Sequence, residues 1–524
     1  MTNEQQRLLR QALHIYYDAQ AVPSVPEYTE VAFSPRHQRR MNRLLKRFSV
    51  TTPHIKGGVF MRKAFLVPIA AAVILVAGIS AVITSQYFAP IQIAAQPQQL
   101  AAAVLPTRLS YPSYDGGSYG DYYNAYDLWK REQQARISMQ SGIAQPTAFL
   151  RRSVQQMLSV GGNDNVAYSP MNLYMALSLL AETTDGDSRE QILNLLETEN
   201  IETLREQSNR LWQANYRDDG YVSTVLSNAL FLNDKMSYKE STLENAAKYY
   251  YADIFGGKMG EDGYDIQIQN WLNDKTKGLL ADNITAVKTD PGTVMMLLST
   301  LYFQSKWSGG FPEYNNTRDV FHTKNGDKTV EFMHQTSKMD YYRDDNFSAV
   351  RLPFSEGGSM WLMLPDEDVD VATLAADENL LDPVFSADSA ESLYPMWPPE
   401  EEQEQKTEVV LSMPKFDFTY SNNLIESMQK LGVTDVFNRE KADFSALTGK
   451  KDDSYITKAR QDVRIKVDEE GCSAVAFTMM NVEMSAANPF EKPERVIFTL
   501  DRPFIFVIAS DTDMPLFTGI VQNP

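Results

Sequence analysis

The sequence predicts a large α+β domain behind a single membrane-spanning helix, and three observations predict it. Twenty consecutive residues, Ala64–Ile83, carry no charge. Residues 141–524 read as one globular unit with no second linker and no internal repeat. Within that unit helical periodicity comes mostly first and strand-like runs mostly second, which argues α+β with large sheets rather than an alternating parallel design.

The N-terminal elements follow from charge. Of 49 Lys and Arg, eleven lie in residues 1–63, with only four of the 68 Asp and Glu, so that segment is +7 and the remaining chain −26. An acidic body is a poor partner for nucleic acid, whose binding rests on phosphate neutralisation. At about 1.5 Å per residue the apolar run reaches roughly 30 Å, enough to cross a bilayer. Pro68 sits early in it and Tyr87 and Phe88 follow at an interface position. A signal peptide is the rival, but its n-region is far shorter than 63 residues. All early bases precede the run and the next is Arg108, so the positive-inside rule places 1–63 in the cytoplasm, 64–84 in membrane lipid as a signal anchor, and the rest outside. Arg36–Arg47 reads as a short basic amphipathic helix or a solvated charge run that sets topology. Residues 85–140, Gln/Ala/Pro-rich and then Tyr/Gly/Asp-rich, show no core face and are expected to form a stalk.

In the outer unit, 148–159 and 170–181 carry apolar residues at i, i+3, i+4, with Ser169 as cap and Pro170 as first helical residue. Strand-like runs cover 224–232, 294–303, 359–365, 407–418, 463–467 and 502–509. A single cysteine, Cys472, excludes an intrachain disulfide. Enzyme chemistry lacks its parts: the outer unit holds only His322 and His334, with no HExxH, GxSxG, CxxC or glycine-rich phosphate loop. Both histidines read as structural. Glu400, Glu401, Glu402 and Glu404 lack the Asn/Gly loop geometry of a cation site and read as a solvated loop. No metal or cofactor is expected.

One segment stands out. From Gly471 to Val482 there is no charge, and no proline until Pro489. At period 2, Cys472, Ala474, Ala476 and Thr478 form a face of small residues opposite Ser473, Val475, Phe477 and Met479. Such a strand can enter a packed sheet without overpacking it. An edge strand running into a surface loop fits the same residues.

The chain also resembles the serpin family along the outer unit. NVAYSPMNLYMALSLL (165–180) matches the family's helix-opening segment at Asn165, Ser169 and Pro170. IQNWLNDKTKGLL (268–280) matches at Trp271, Thr276 and Gly278. LYFQSKWSGGFPEYNNTRDVF (301–321) matches at Phe303, Trp307, Phe311, Thr317 and Phe321. MPKFDF, LGVTDVF, ADFSALT, DRPFIFVI and MPLFTGIVQNP follow in family order.

The resemblance implies three β-sheets, eight or nine helices and an exposed reactive loop under strain. It implies a suicide inhibitor of serine, or as a second class cysteine, proteases. The target cuts the loop, and the loop inserts into the large sheet and carries the acyl-enzyme away distorted. The hinge is matched by Glu469, Glu470, Gly471, Cys472, Ala474, Ala476 and Thr478. The shutter beneath the sheet falls on Asn165, Ser169, Pro170, Asn172, Gln461 and Ser299, and the breach at its top on Trp307. Departures are Cys472 for the usual Ser or Thr, Ser473 for an acid, Val475 and Phe477 for small outward residues, Gln461 for His and Ser299 for Asn. Cys472 reads as a small-residue stand-in rather than a redox thiol. Gln461 is expected to bond Ser169 or Asn172. Fourteen residues beyond Gly471 the count reaches Ser485, so the attacked bond is Ser485–Ala486, with Met484 or Ala486 preceding the bond as alternatives. A small residue there suits elastase-like or subtilisin-like proteases. A monomer is expected. The alternative function is a non-inhibitory ectodomain that binds a ligand or senses cleavage for the cytoplasmic tail.

Overall fold

The computed structural model describes residues 98–114, 118–141, 143–159, 162–284, 287–386, 407–451, 454–472 and 495–524. The segment 1–63, the apolar run, the start of the expected stalk, the Glu400–Glu404 run and residues 473–494 lie outside them. No helix among the described residues is long and apolar enough to cross a membrane. The chain divides into two units, Met1–Gln92 and Ile93–Pro524, and the fold is that of the second.

Helices α1 (Tyr119–Ser138), α2 (Thr147–Leu158) and α3 (Pro170–Thr183) open the unit. The last two fall where apolar spacing predicts them. Ser169 caps α3, its hydroxyl accepting from the Asn172 amide at 3.3 Å, and Pro170 follows where its missing N–H costs nothing. Thirteen of the fourteen α3 residues are buried, its polar ones included, and the helix packs between the sheets. Among the described residues helices outnumber the eight or nine expected, and the addition that matters is α1.

The large sheet runs in the order Gln98–Ala101, Ala252–Gly257, Ser223–Asn233, Met295–Lys306, Gly471–Cys472, Arg460–Val467, Phe416–Asn423. Arg217–Asp218 pairs on Ser223–Asn233 of this sheet, and the remaining described strands form one network threaded by Gly326–Arg343, which pairs with Thr407–Pro414 through residues 332–339 and with Phe347–Pro353 through 340–343. The three expected sheets are therefore one sheet plus two that share a strand. The run at 407–418 is two strands in different sheets, Thr407–Pro414 and Phe416–Asn423, divided at Lys415 directly after the proline.

Residues 98–140, expected as a stalk, pair and pack with the body. Gln98–Ala101 extends the sheet edge against Ala252–Gly257. In α1, Trp129, Gln133 and Arg136 are buried at spacings of four and three, with Gln140 following. Most of that face is polar, so apolar periodicity passes over it.

Candidate functional site

The site is the upper end of the large sheet. Gly471 pairs with Lys306 and Cys472 with Ser305 on one side, while Cys472 pairs with Val467 on the other. Below this two-residue wedge the strands Met295–Lys306 and Arg460–Val467 do not pair with each other. The seam holds a cavity of about 40 Å³ lined among others by Leu301, Phe303, Val463, Ile465 and Cys472. Glycine at 471 is required by close approach: a Cβ would lie 2.2 Å from the Ser305 carbonyl oxygen. Cys472 is buried, and burial pushes its thiol up to about 12. It is inert while seated, as a small-residue stand-in requires.

Trp307 anchors the turn before the wedge. Its indole Nε1 donates to the Asp468 carbonyl at 2.8 Å, its amide donates to the Glu470 carbonyl at 3.1 Å, and its ring stacks on Phe354. Glu469 accepts from Lys415 Nζ at 2.8 Å and from Asn316, and Lys415 also pairs with Glu331 at 2.6 Å. Burial of Glu469 works against its charge, but these bonds win and hold its carboxyl below the usual range.

Beneath the seam, Gln461 bridges the sheet to α3. Its Oε1 accepts from the Ser169 amide at 2.8 Å, and its Nε2 donates to the Ser169 carbonyl and to Asn172 Oδ1, both at 3.1 Å. Asn172 Nδ2 donates to Ser299 Oγ at 2.8 Å, and Ser169 Oγ donates to the Leu516 carbonyl at 2.6 Å. Strands 295–306 and 460–467 are thus joined through α3 and not to each other. Asn165 is not part of this cluster. It holds the C-terminus instead, accepting from the amides of Gln522 and Asn523 and donating to the Asn523 carbonyl. Strand Val166–Tyr168 intervenes and carries it away from Ser169. Ala474, Ala476, Thr478, Met484, Ser485 and Ala486 lie outside the described residues.

A profile of the family described as Serpin (serine protease inhibitor) matches residues 144–524. The chain is a serpin. It is 25% identical over 378 residues to serine protease inhibitor 2 of Anopheles gambiae, covering 69% of this chain and 88% of that one. To Serpin-Z7 of Hordeum vulgare it is 29% identical over 379 residues, 69% and 90% of the two chains. Among solved structures, the thermophilic serpin tengpin in its native state overlays with a TM-score of 0.62 at 24% identity, spanning 82% of this chain and 100% of that one.

The serpin match starts at 144 and leaves out α1 and the edge strand. These are tied to the serpin body by groups that sequence reasoning missed. Trp129 Nε1 donates to Asp219 Oδ2 at 3.1 Å, the Tyr111 amide donates to the Asp219 carbonyl at 2.8 Å, and Arg136 bonds Asp511 and the Ala214 carbonyl. Asp219 also accepts from Arg217 Nε at 2.7 Å. The signal available was Trp129 with Gln133 and Arg136 at helical spacing, a face that also fits an exposed helix. The histidines are structural, as expected: His334 bridges Thr317 and Ser412, and His322 pairs with Asp327 at the surface.

Proposed function

We propose that this serpin is a membrane-tethered suicide inhibitor of proteases outside the cell. The observation that carries the reading is the seam. Two strands of the large sheet do not pair with each other below a hinge already seated between them, and the small side chain of Cys472 is buried in the core. A third strand with small side chains at alternate positions fits that place. The small face of Cys472, Ala474, Ala476 and Thr478 continues in the same register.

In the proposed reaction the hydroxyl of the target protease attacks the Ser485 carbonyl. The Ser485–Ala486 peptide bond breaks, the Ala486 amine leaves with a proton from the protease's histidine, and an ester joins Ser485 to the protease. The freed segment then fills the seam as a new strand, and its hydrogen bonds and buried small face supply the driving force. Insertion moves the ester away from the machinery that would hydrolyse it. Tethering rests on the uncharged Ala64–Ile83 run and the excess of bases before it. A small residue at 485 favours elastase-like or subtilisin-like targets.

The test uses the full chain in membranes. Alkaline extraction should leave it in the pellet, and incubation with a protease panel should give a complex that survives SDS, with a new N-terminus at Ala486. Cleavage without any such complex would sink the trapping mechanism. Release of the uncut chain by alkali would sink the tether alone.

A further inference from the structure

We propose that Trp129 and Arg136, outside the serpin match, are positioning residues for the reactive-loop hinge: they clamp both walls of the Gly357–Gly358 loop, whose inner edge holds the strand that receives Gly471 and Cys472. The geometry runs inward in three steps.

The outer step is the clamp. Trp129 fixes the carboxylate of Asp219, which also accepts from the amides of Tyr221 and Val222 at 3.0 and 2.9 Å and so closes the turn of the 217–224 hairpin. Tyr111 stacks on Tyr221 with centroids 4.4 Å apart. Arg136 fixes Asp511 in the turn after strand Phe504–Ala509, and Arg217 lies between the two carboxylates, 2.7 Å from Asp219 and 3.7 Å from Asp511. Trp129 and Arg136 are fully buried in doing so.

The middle step is the loop. Gly357 (φ +85°) rests on the hairpin, where a Cβ would come within 2.8 Å of Val222 and 3.4 Å of Arg217. Gly358 (φ +111°) rests on the other wall, where a Cβ would come within 2.1 Å of the Ala509 carbonyl oxygen. With no room for a side chain at either position, the loop backbone packs directly on both walls, and a shift of either wall is passed to the loop.

The inner step is the receiving strand. The Glu356 carbonyl accepts from Ser305 Oγ at 2.7 Å, the Ser355 amide donates to the Lys306 carbonyl at 2.8 Å, and Ser355 Oγ donates to the Trp307 carbonyl at 2.7 Å. Residues 305 and 306 are the ones opposite Cys472 and Gly471. Loosening either wall therefore displaces the edge on which the hinge sits.

The test exploits the single cysteine: Cys472 is shielded only while seated, so its labelling rate in the full chain reads hinge occupancy without any protease. This inference uses the hinge and not the trapping mechanism, and a normal protease complex with altered labelling, or the reverse, separates the two. Trp129→Phe keeps the packing and loses the bond to Asp219; Arg136→Gln loses the charge pair. Both should label about tenfold faster than the parent under native conditions, through local opening rather than global unfolding. Leu374→Ala, a core truncation in the helix Val371–Ala375, supplies the rate for a variant that is destabilised elsewhere. Labelling by Trp129→Phe no faster than by Leu374→Ala, or slower than by the parent, would overturn the assignment. If Arg136→Gln does not fold, Trp129→Phe decides it alone.

Discussion

Two segments of this serpin join the large sheet, one along its edge and one wedged between two inner strands, and they are held in opposite ways. The N-terminal segment 98–140 is bound by a paired edge strand and by buried charged groups whose partners lie as far as 375 residues away. The hinge is bound by three residue pairs made by two residues, one tryptophan and a half-exposed set of ions around Glu469. Removing one member of a buried pair leaves a charge without compensation in low dielectric, so the first attachment behaves as permanent. A two-residue wedge between strands that do not otherwise pair is cheap to withdraw. The fold thus fastens what must stay and only lodges what must move.

The sharpest way to break this comparison is Asp511→Ala. Arg136 and Arg217 would keep their burial and lose a shared carboxylate, and the unfolding free energy should drop by about 3–5 kcal/mol, read by urea unfolding. A drop below about 1 kcal/mol, the size of a surface pair, would mean that the N-terminal segment is lodged as lightly as the hinge.

Gln461→Leu comes next and probes the cluster beneath the seam. It removes three hydrogen bonds to Ser169 and Asn172 and leaves their amide, carbonyl and side-chain oxygen to find other partners. Stability should fall by about 1–3 kcal/mol. Because this cluster joins the seam strands through α3, Cys472 labelling should also accelerate. An unchanged rate would show that the seam opens only from its upper end.

How far these attachments were legible follows from where their partners sit in the chain. The small face at Cys472 is local, period-2 information, and the sheet takes Cys472 in as that period predicts. Ser169, Asn172, Gln461 and Ser299 were found through matched motifs, since nothing in their spacing could reveal that residues 127 and 289 apart meet. The same motif misplaced Asn165, because a three-residue strand separates it from the cap. Residues 98–140 differ from the expected stalk for a physical reason: the buried face of α1 is Gln133 and Arg136 beside a single Trp129, with Gln140 just beyond its end. Its stability comes from long-range carboxylates that no periodicity can register.

Gly471→Ala separates lodging from fastening within the hinge itself. The new Cβ would collide with the Ser305 carbonyl and the Lys306 Cα, both backbone atoms that cannot rotate away. The wedge should be expelled and Cys472 labelled readily, while overall stability changes by less than about 1 kcal/mol because only the three pairings of a two-residue strand are lost. A larger destabilisation would make the hinge a structural strand rather than a lodged one.

The smallest expected effect is that of pH on Glu469. Its carboxyl is held below the usual range by Lys415 and Asn316. A depressed folded value means that the ionised form contributes stability above the ordinary glutamate value of about 4.3, and that this contribution is lost as pH falls through the folded value. Between pH 9 and about 5 the hinge should therefore stay put, and below about 4 it should loosen. A pyridyl disulfide, which reacts with thiols in acid, reads Cys472 across that window. Global acid unfolding would confuse the result, so the comparison is with Lys415→Met, which removes the ammonium that holds Glu469 charged. In that variant the hinge should loosen at a higher pH than in the parent, with the rest of the acid transition in place. Coincident labelling profiles in the two chains would mean that Trp307 and the backbone wedge hold the hinge unaided, leaving Glu469 with no part in lodging it.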